Sequence, residues 1–434
     1  MYGDRLTAYT YARQPLNKTT KQQKNQTTKK PLNQTTKRPN NQTTTLSHNN
    51  KTAALLKREI AILLRHPIYI ICMVVLPLLV TLFFTSLMNE GQPVEMPIGI
   101  VDNDNTSVTR KLTRIIDGFQ SSHVVAHYPT VDDARKSMQR NEIYGFIYFP
   151  EHMTQDLLSA RQPKMSIYYS NVSLTSGALL YKEMKTLCSL GSAAVGQSTL
   201  LAKGATKQQV NAFLQPITLD THNIGNPWVN YNIYLSTMLV PTCLLLFVFL
   251  MTVYSLGTEI KFGTHREWLQ MAGNNFALAL FTKLLPQTII FLFTMAVSMV
   301  YMFGILHFPA PGGTMHLIFL CTLSIIAAQG FAVFMFGLIP SLRMAMSMCS
   351  LWGVLSFSMV GTTFPIFAMD APLQAMSWLF PMRHYYLIYQ LCVFNDYPLT
   401  DALSAIIALM CFAILPALVI RRMKKAFYEF GYQP

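Results

Sequence analysis

The stretch "GTEIKFGTHREWLQMAGNN", Gly257–Asn275, lies between two apolar runs, "IYLSTMLVPTCLLLFVFLMTVYSL" (233–256) and "FALALFTKLLPQTIIFLFTMAVSMVYMF" (276–303). Either run is long enough to cross the hydrocarbon core of a bilayer, which takes about 20 residues as a helix. Glu259, Lys261, His265, Arg266, Glu267 and, just beyond, Lys283 crowd this part of a chain that is only 12% charged. Two readings compete for it: a loop whose charges stay in water and set topology, and a surface that a partner grips.

Working outward, the same kind of apolar window recurs near 68–88, 315–339, 345–368 and 399–420. With 51% apolar residues in 434, the composition predicts an α-helical polytopic membrane protein with six transmembrane helices. Internal prolines at 77, 241, 286 and 416 are compatible with such helices, because neighbouring helices re-satisfy a broken backbone bond. The net charge of +14 is concentrated rather than spread: residues 1–67 hold 13 Lys or Arg against 2 Asp or Glu, and the remainder 21 against 18. That is one basic tail, not a nucleic-acid recognition face.

The tail, residues 1–52, repeats "NKTT" and "NQTT" every eight residues and has almost nothing to bury, so disorder is expected for it. Positive residues favour the cytoplasmic side. Lys51, Lys57, Arg58 and Arg65 precede the first span, Arg421, Arg422, Lys424 and Lys425 follow the last, and Arg343 lies in the turn after the fourth. The turn "GILHFPAPGGT" has no Lys or Arg. Six spans with both termini cytoplasmic satisfy all of this. Residues 257–275 then face the cytoplasm, as does a short tail at 421–434, and Lys283 sits near a cytoplasmic end where it can snorkel.

The same topology places residues 89–230 outside. "MPIGIVD", "HVVAHY", "YGFIYFP" and "KMSIYYS" read as strands and the segments between them as helices. This alternation predicts an α/β extracytoplasmic domain inserted between helices 1 and 2, followed by a long helical pattern from Leu174 to about Leu214 with a break near Gly204. Its charge is balanced, 12 basic against 12 acidic. Residues 53–67, "AALLKREIAILLRHP", carry an apolar stripe and a basic face, the pattern of a helix lying on the inner membrane surface, with Pro67 breaking it from the first span. Residues 369–398 are too polar for a span and too apolar for an exposed loop; re-entrant helices between helices 5 and 6 are expected there.

Chemistry that is absent narrows the function. No phosphate loop, G-x-S-x-G elbow or H-E-x-x-H helix occurs, and the seven cysteines show no metal-ligand spacing. No catalytic group, cofactor or metal is predicted to be bound directly.

Several patterns together resemble the ABC-2 family of ABC exporter permeases. "LLKREIAILLRHP" is similar to the family's connecting helix, with Lys57, Arg58 and Glu59 in its polar part. "EIKFGT" resembles the cytoplasmic Glu-x-x-x-Gly-Thr element and places Glu259, Gly263 and Thr264; "TKLLPQ" resembles the Gly-Lys-x-x-Pro start of the third span, with Thr282 where Gly is usual. "NPWVNY" and "FPMRHYY" resemble its Asn-Pro and Pro-x-x-Tyr signatures, and "IGIVDNDNTSVTRKL" resembles the opening of the outer domain in the subgroup that exports drugs or other hydrophobic molecules with a periplasmic adaptor. The resemblance covers about residues 53–428 and leaves the repetitive tail outside.

The resemblance implies a permease in the bacterial inner membrane, working with a second permease copy or paralogue. Its partner would be an ABC ATPase subunit that uses ATP and Mg. Residues 257–275 would be the element that docks on that ATPase, with Glu259, Lys261, Gly263, Thr264, Arg266 and Glu267 as its coupling residues, Trp268 and Leu269 as apolar anchors and Thr264 as a helix cap. Pro381, Arg383, His384 and Tyr385 would shape the re-entrant exit region. The competing class is a membrane receptor or scaffold whose outer domain binds a ligand or envelope protein; an ion channel is disfavoured because no span shows a polar stripe.

Overall fold

The computed structural model describes residues 48–159, 161–215, 220–222 and 225–429, so most of the basic repeat lies outside the described residues. Helix α1, His48–Arg65, starts earlier than the expected connecting helix and takes in the last residues assigned to the tail. It stops where His66 turns extended and Pro67 opens the next helix, since a proline disfavours helical angles in the residue before it. Helix α2, Pro67–Leu87, follows and contains a π-turn at Ile71–Val75.

A mixed α/β unit follows. Strand β1, Met96–Asp102, leads through α3, Ser107–Asp117, to β2, Ser122–His127; α4, Val131–Gln139, then leads to β3, Gly145–Phe149, and α5, Met153–Leu158, to β4, Ser166–Tyr169. The sheet order is β2-β1-β3-β4, with β1 parallel to both neighbours and β4 antiparallel. Flanked on both sides, β1 has little polar character: Ile98 and Ile100 face one core with Ile147, Leu180 and Met184, while Val101 faces the other with Ala134 and Phe146. Helix α6, Leu174–Ala202, closes the first core, and Gly204, at φ 87, separates it from α7, Lys207–Leu214. The expected strands fall within a residue or two of the observed ones, and the sheet is mixed.

The chain then returns to long helices. These are α8, Tyr231–Lys261; the short α9, His265–Met271; α10, Phe276–Ile305; and α11, Gly313–Leu338. Helix α12, Leu342–Met359, is followed by α13, Ala371–Ser377, by α14, Pro381–Ile388, which continues as a π-turn over Tyr389–Phe394, and by α15, Leu403–Glu429. Among the described residues, five helices are long and apolar enough to cross a membrane: α2, α8, α10, α11 and α15. The fifth expected span, 345–368, is the 18-residue α12, diluted by Ser347, Ser350, Ser356 and Ser358. It ends where Gly361, at φ 100, turns the chain towards Pro365. At the other end α15, with a turn at Leu415 before Pro416, continues past Arg421 and Arg422 to Glu429, so residues 421–429 of the segment expected as a tail are helix and 430–434 lie outside the described residues.

Helices α8 and α11 are the most enclosed of the five; α8 packs on α2, α11 and α12, and α11 on α15. Lipid tails give no hydrophobic reason for apolar helices to associate, so close packing and hydrogen bonds must do so. The Thr81 and Ser298 hydroxyls meet at 3.0 Å between α2 and α10, Thr288 donates to Gln329 Oε1 at 2.7 Å between α10 and α11, and Asn232 donates to the Thr85 carbonyl at 3.0 Å between α8 and α2. At Gly330 an added Cβ would collide with the backbone of Phe412 and Ala413, so α11 and α15 cross main chain against main chain.

Gly330→Val should therefore lower the thermal midpoint of the detergent-purified chain markedly, overpacking of this kind costing about 1–3 kcal/mol or more. Gly191→Ala on α6, where an added Cβ meets nothing within 4 Å, should leave it unchanged or raise it slightly. Scanning fluorimetry on both variants decides it; equal midpoints would mean the helices do not cross so closely.

Candidate functional site

The charged residues around "GTEIKFGTHREWLQ" divide into a buried set and an exposed set. On α1, the polar positions Arg58 and Glu59 turn inward; on the last turn of α8, Glu259 does the same; and Lys283, two turns into α10, points at both carboxylates. Arg58 Nη1 and Nη2 grip the two oxygens of Glu259 at 2.9 and 3.0 Å, and Nη1 also reaches Glu59 Oε1 at 2.6 Å. Lys283 Nζ bridges Glu59 Oε2 at 2.7 Å and Glu259 Oε1 at 2.8 Å. The four groups form a closed ring of alternating charge, neutral in sum, that ties three helices together.

Burial is what makes the ring consequential. Glu59, Glu259 and Lys283 expose 2%, 3% and 2% of their surface. Charges so placed are tolerable only when paired and hydrogen-bonded. For Arg58, burial works against the charged form, but the hydrogen bonds and fields of Glu259 and Glu59 outweigh it and its pKa is raised. The planar guanidinium fork matches the carboxylate of Glu259 atom for atom, which a lysine there would not do.

Two neighbours complete the ring. The Thr264 hydroxyl donates to Glu259 Oε2, and the face of the Trp268 ring lies 5.2 Å from Lys283 Nζ. Thr264 thus does not cap α9 as expected: its backbone is already helical, and its side chain is spent on the carboxylate one turn back. Trp268 and Leu269, expected as anchors for a partner, are 0% and 1% exposed and belong to the interior. Lys283 does not snorkel; it is the hub of the ring.

Trp268 also touches an aromatic cluster that the sequence did not suggest. The Phe427 ring, on α15, lies 5.6 Å from Trp268, 5.5 Å from Phe276, 6.1 Å from Phe336 and 6.3 Å from His265, centroid to centroid. The end of α15 is therefore clamped against α9, α10 and α11. The only signal in the sequence was the apolar spacing of Val419, Met423 and Phe427 within the basic run, which places them on one helical face.

The other expected coupling residues face outward. Lys57, Lys261, Arg266 and Glu267 are exposed, as is Phe262, 70% of whose surface is free. Gly263, at φ 69, makes the turn from α8 into α9 with open space where a Cβ would stand. Substitution there would strain the backbone without a clash.

The expected re-entrant residues are elsewhere and serve packing. Pro381 starts α14; His384 Nε2 is 2.9 Å from the Trp378 carbonyl, and the Arg383 guanidinium lies 5.5 Å from the Trp378 ring. Tyr385 is buried and its ring stacks with that of Tyr389. Of the predicted site residues, then, the structure joins Arg58, Glu59, Glu259 and Thr264 in one cluster, and leaves Pro381, Arg383, His384 and Tyr385 as a separate one.

Residues 67–420, more than four-fifths of the chain, match the family model described as ABC-2 family transporter protein. The match begins just after α1, so Arg58 and Glu59 lie outside it while Glu259 and Lys283 lie within it. No curated protein matches the chain.

Breaking the ring on one side leaves an uncompensated buried charge, which costs about 3–5 kcal/mol, whereas removing both members of a pair is far milder. Lys283→Met should accordingly lower the thermal midpoint sharply, and Glu59→Gln combined with Lys283→Met should restore much of it. A double-mutant cycle on these positions measures the coupling; strict additivity would mean the two charges do not interact.

Proposed function

Since this chain belongs to the ABC-2 family of transporter proteins, it is a multi-pass membrane protein and the permease of an ABC transporter, and we propose that it exports a hydrophobic or amphipathic small molecule across a bacterial inner membrane. A separate ABC ATPase is the partner that the family implies; ATP and Mg belong to that subunit. The observation that carries the reading is the division of labour at Gly257–Asn275: exposed charges on the turn and on α9, backed by a buried ring joining α1, α8 and α10.

A coupling site needs both halves. The exposed face of Lys261, Phe262, Arg266 and Glu267, with Lys57 on α1, offers the ATPase charges of both signs and an apolar ring, suited to register and orientation. The buried ring makes the three helices move as one body, so that a push on α9 tilts α8 and α10 instead of bending a loop. Such rigid-body rocking is how a contact at one end of a helix pair becomes a change at the other. Trp268 and Phe427 extend the same body to α15.

In this proposal α12 is the sixth crossing, its 18 residues spanning about 27 Å. Both termini are then cytoplasmic, with Lys51, Lys57, Arg343, Arg421 and Arg422 on the inner side and the α/β unit of β1–β4 outside. The outer unit is where a periplasmic adaptor would bind, and α13 and α14 are the re-entrant helices. The permease works with a second copy of itself or a paralogue.

Purification of the full chain from its native membrane in mild detergent, with mass spectrometry of what accompanies it, tests the central point. A phosphate-loop ATPase should co-purify, and the charge reversals Lys261→Glu with Glu267→Arg should reduce its recovery at least tenfold while leaving the thermal midpoint of the permease unchanged. Recovery of the folded chain without any ATPase, under conditions that keep another exporter complex intact, would favour a receptor or scaffold built on the outer unit.

A further inference from the structure

The start of α14 is sunk between two of the long helices. The Phe380 ring, just before it, stacks on Trp352 with centroids 4.9 Å apart, and Trp352 Nε1 donates to the Leu379 carbonyl at 3.1 Å. Trp352 lies seven residues before the end of α12 at Met359, about 10 Å along the helix axis. On the other side His384 meets the Phe412 ring at 6.0 Å, nine residues into α15 and about 14 Å from its start at Leu403. With both helices crossing a bilayer, residues 380–384 lie well inside its hydrocarbon core, which is about 30 Å thick.

Packing accounts for the neighbours in this cluster, but not for Arg383. Between Arg343 and Arg421 it is the one Lys or Arg of the chain, and among the described residues no carboxylate pairs with it. Its Nε and Nη1 are fully buried and donate to nothing, while the residue as a whole is half-buried, so the guanidinium is reached from outside the protein. The Trp378 ring, 5.5 Å away, is its one partner in charge, and a contact of that kind returns only about 0.5–2 kcal/mol. An ionisable side chain at membrane depth is costly, and those that occur pair with one another, as the ring at the other end of the bundle does, or serve a ligand path. A guanidinium, always charged, weakly hydrated and planar, is the side chain suited to holding an oxyanion away from water. Beside it Trp378 and Leu379 expose 48% and 52% of their surface, an apolar wall next to an unmet positive charge.

We propose that Arg383 is a head-group site for amphipathic phosphates: its guanidinium holds the phosphate beside the start of α14, and Trp378 and Leu379 lie along the apolar tail. The ligand is either a phospholipid of the surrounding bilayer or a free amphiphile on its way out; the chemistry that holds it is the same. As a station for cargo the site rests on the export reading above and narrows its substrate to anions; as a binding site it does not, and it is tested without ATP or an ATPase.

Native mass spectrometry of the full chain in a non-ionic detergent tests this, with oleoyl lysophosphatidate as the probe and mono-oleoylglycerol, the same acyl chain without the phosphate, as its neutral counterpart. The delipidated wild-type chain should bind the phosphate-bearing probe saturably and about tenfold or more tightly than the neutral one, the gain expected of charge-assisted hydrogen bonds to one oxyanion. Arg383→Gln should abolish that preference without weakening the binding of mono-oleoylglycerol, and without lowering the thermal midpoint, since it takes an unpaired charge out of the interior. Arg383→Lys, which keeps the charge but not the planar fork, should retain part of the preference. Arg383→Met gives the same comparison if the glutamine variant does not fold. The proposal is overturned if the folded wild-type chain shows no preference for the phosphate, or if Arg383→Gln keeps it. The chain as purified, before delipidation, identifies the source: an anionic phospholipid bound to wild type and lost in Arg383→Gln marks a bilayer lipid as the occupant, and a wild-type chain that carries none points to the free amphiphile. Binding without ATP-driven export would leave the site standing and count against the transport reading alone.

Discussion

Everything at one end of this molecule depends on four charges that cancel, three of them buried and Arg58 half-buried. Arg58, Glu59, Glu259 and Lys283 come from three helices, and no three of them make a satisfied set: remove either cation and two carboxylates share one positive group inside the protein. Such a ring contributes little net stability compared with apolar side chains of the same volume, because desolvating four ions offsets most of their attraction. What it adds is selectivity of arrangement. An apolar contact tolerates sliding by a residue; a bidentate guanidinium over one carboxylate and an ammonium between two do not. The ring thus sets the rotation and height of α1 and α10 against the end of α8.

That constraint explains why residues near it are used in unexpected ways. Thr264 is at a helix start, where a threonine usually caps, but the nearer demand is the second oxygen of Glu259, and its hydroxyl goes there. Trp268 is of the residue type that anchors interfaces, but a face turned towards a buried ammonium and a tilted contact with the Phe427 ring leave none of it exposed to a partner. Thr264 answers to a carboxylate one turn back that the distant Arg58 holds in place, and Trp268 to Lys283 and Phe427, so neither use shows in the residue's immediate neighbours.

This marks the limit of what was legible. The strands of the α/β unit could be read closely because alternation, turn residues and β-branched content are local signals. The long apolar helices and the polar interval between α8 and α10 were equally plain. The ring was not, because Arg58 and Glu259 are 201 positions apart and Glu59 and Lys283 are 224 apart, and spacing carries no information across such separations. Lys283 is the instructive case. A lone lysine near a helix end is ordinarily read as reaching for water, and nothing in "TKLLPQ" shows that two carboxylates will be waiting inside. The length of α15 was missed for the opposite reason: Arg421, Arg422, Lys424 and Lys425 drew the boundary, although Met423 and Phe427 on the other face keep the helix packed on the protein beyond it.

The separation of buried ring from exposed face has a consequence for how a motor and a permease can be matched. Charges that bind a partner must be free to differ between partners, whereas charges that set helix register must not. If Glu259 did both, any change that suited a different ATPase would also unlock α1 from α8. If this segment docks on an ATPase as proposed, the two demands fall on different residues within it: Lys261, Arg266 and Glu267 face out, while Glu259 and Thr264 face in, with Gly263 turning the chain between α8 and α9. A turn of positive φ that needs no side chain is suited to that position, since it changes the direction of the chain in one residue. In the proposed coupling, the recognition surface would thereby be carried on the lever it has to move.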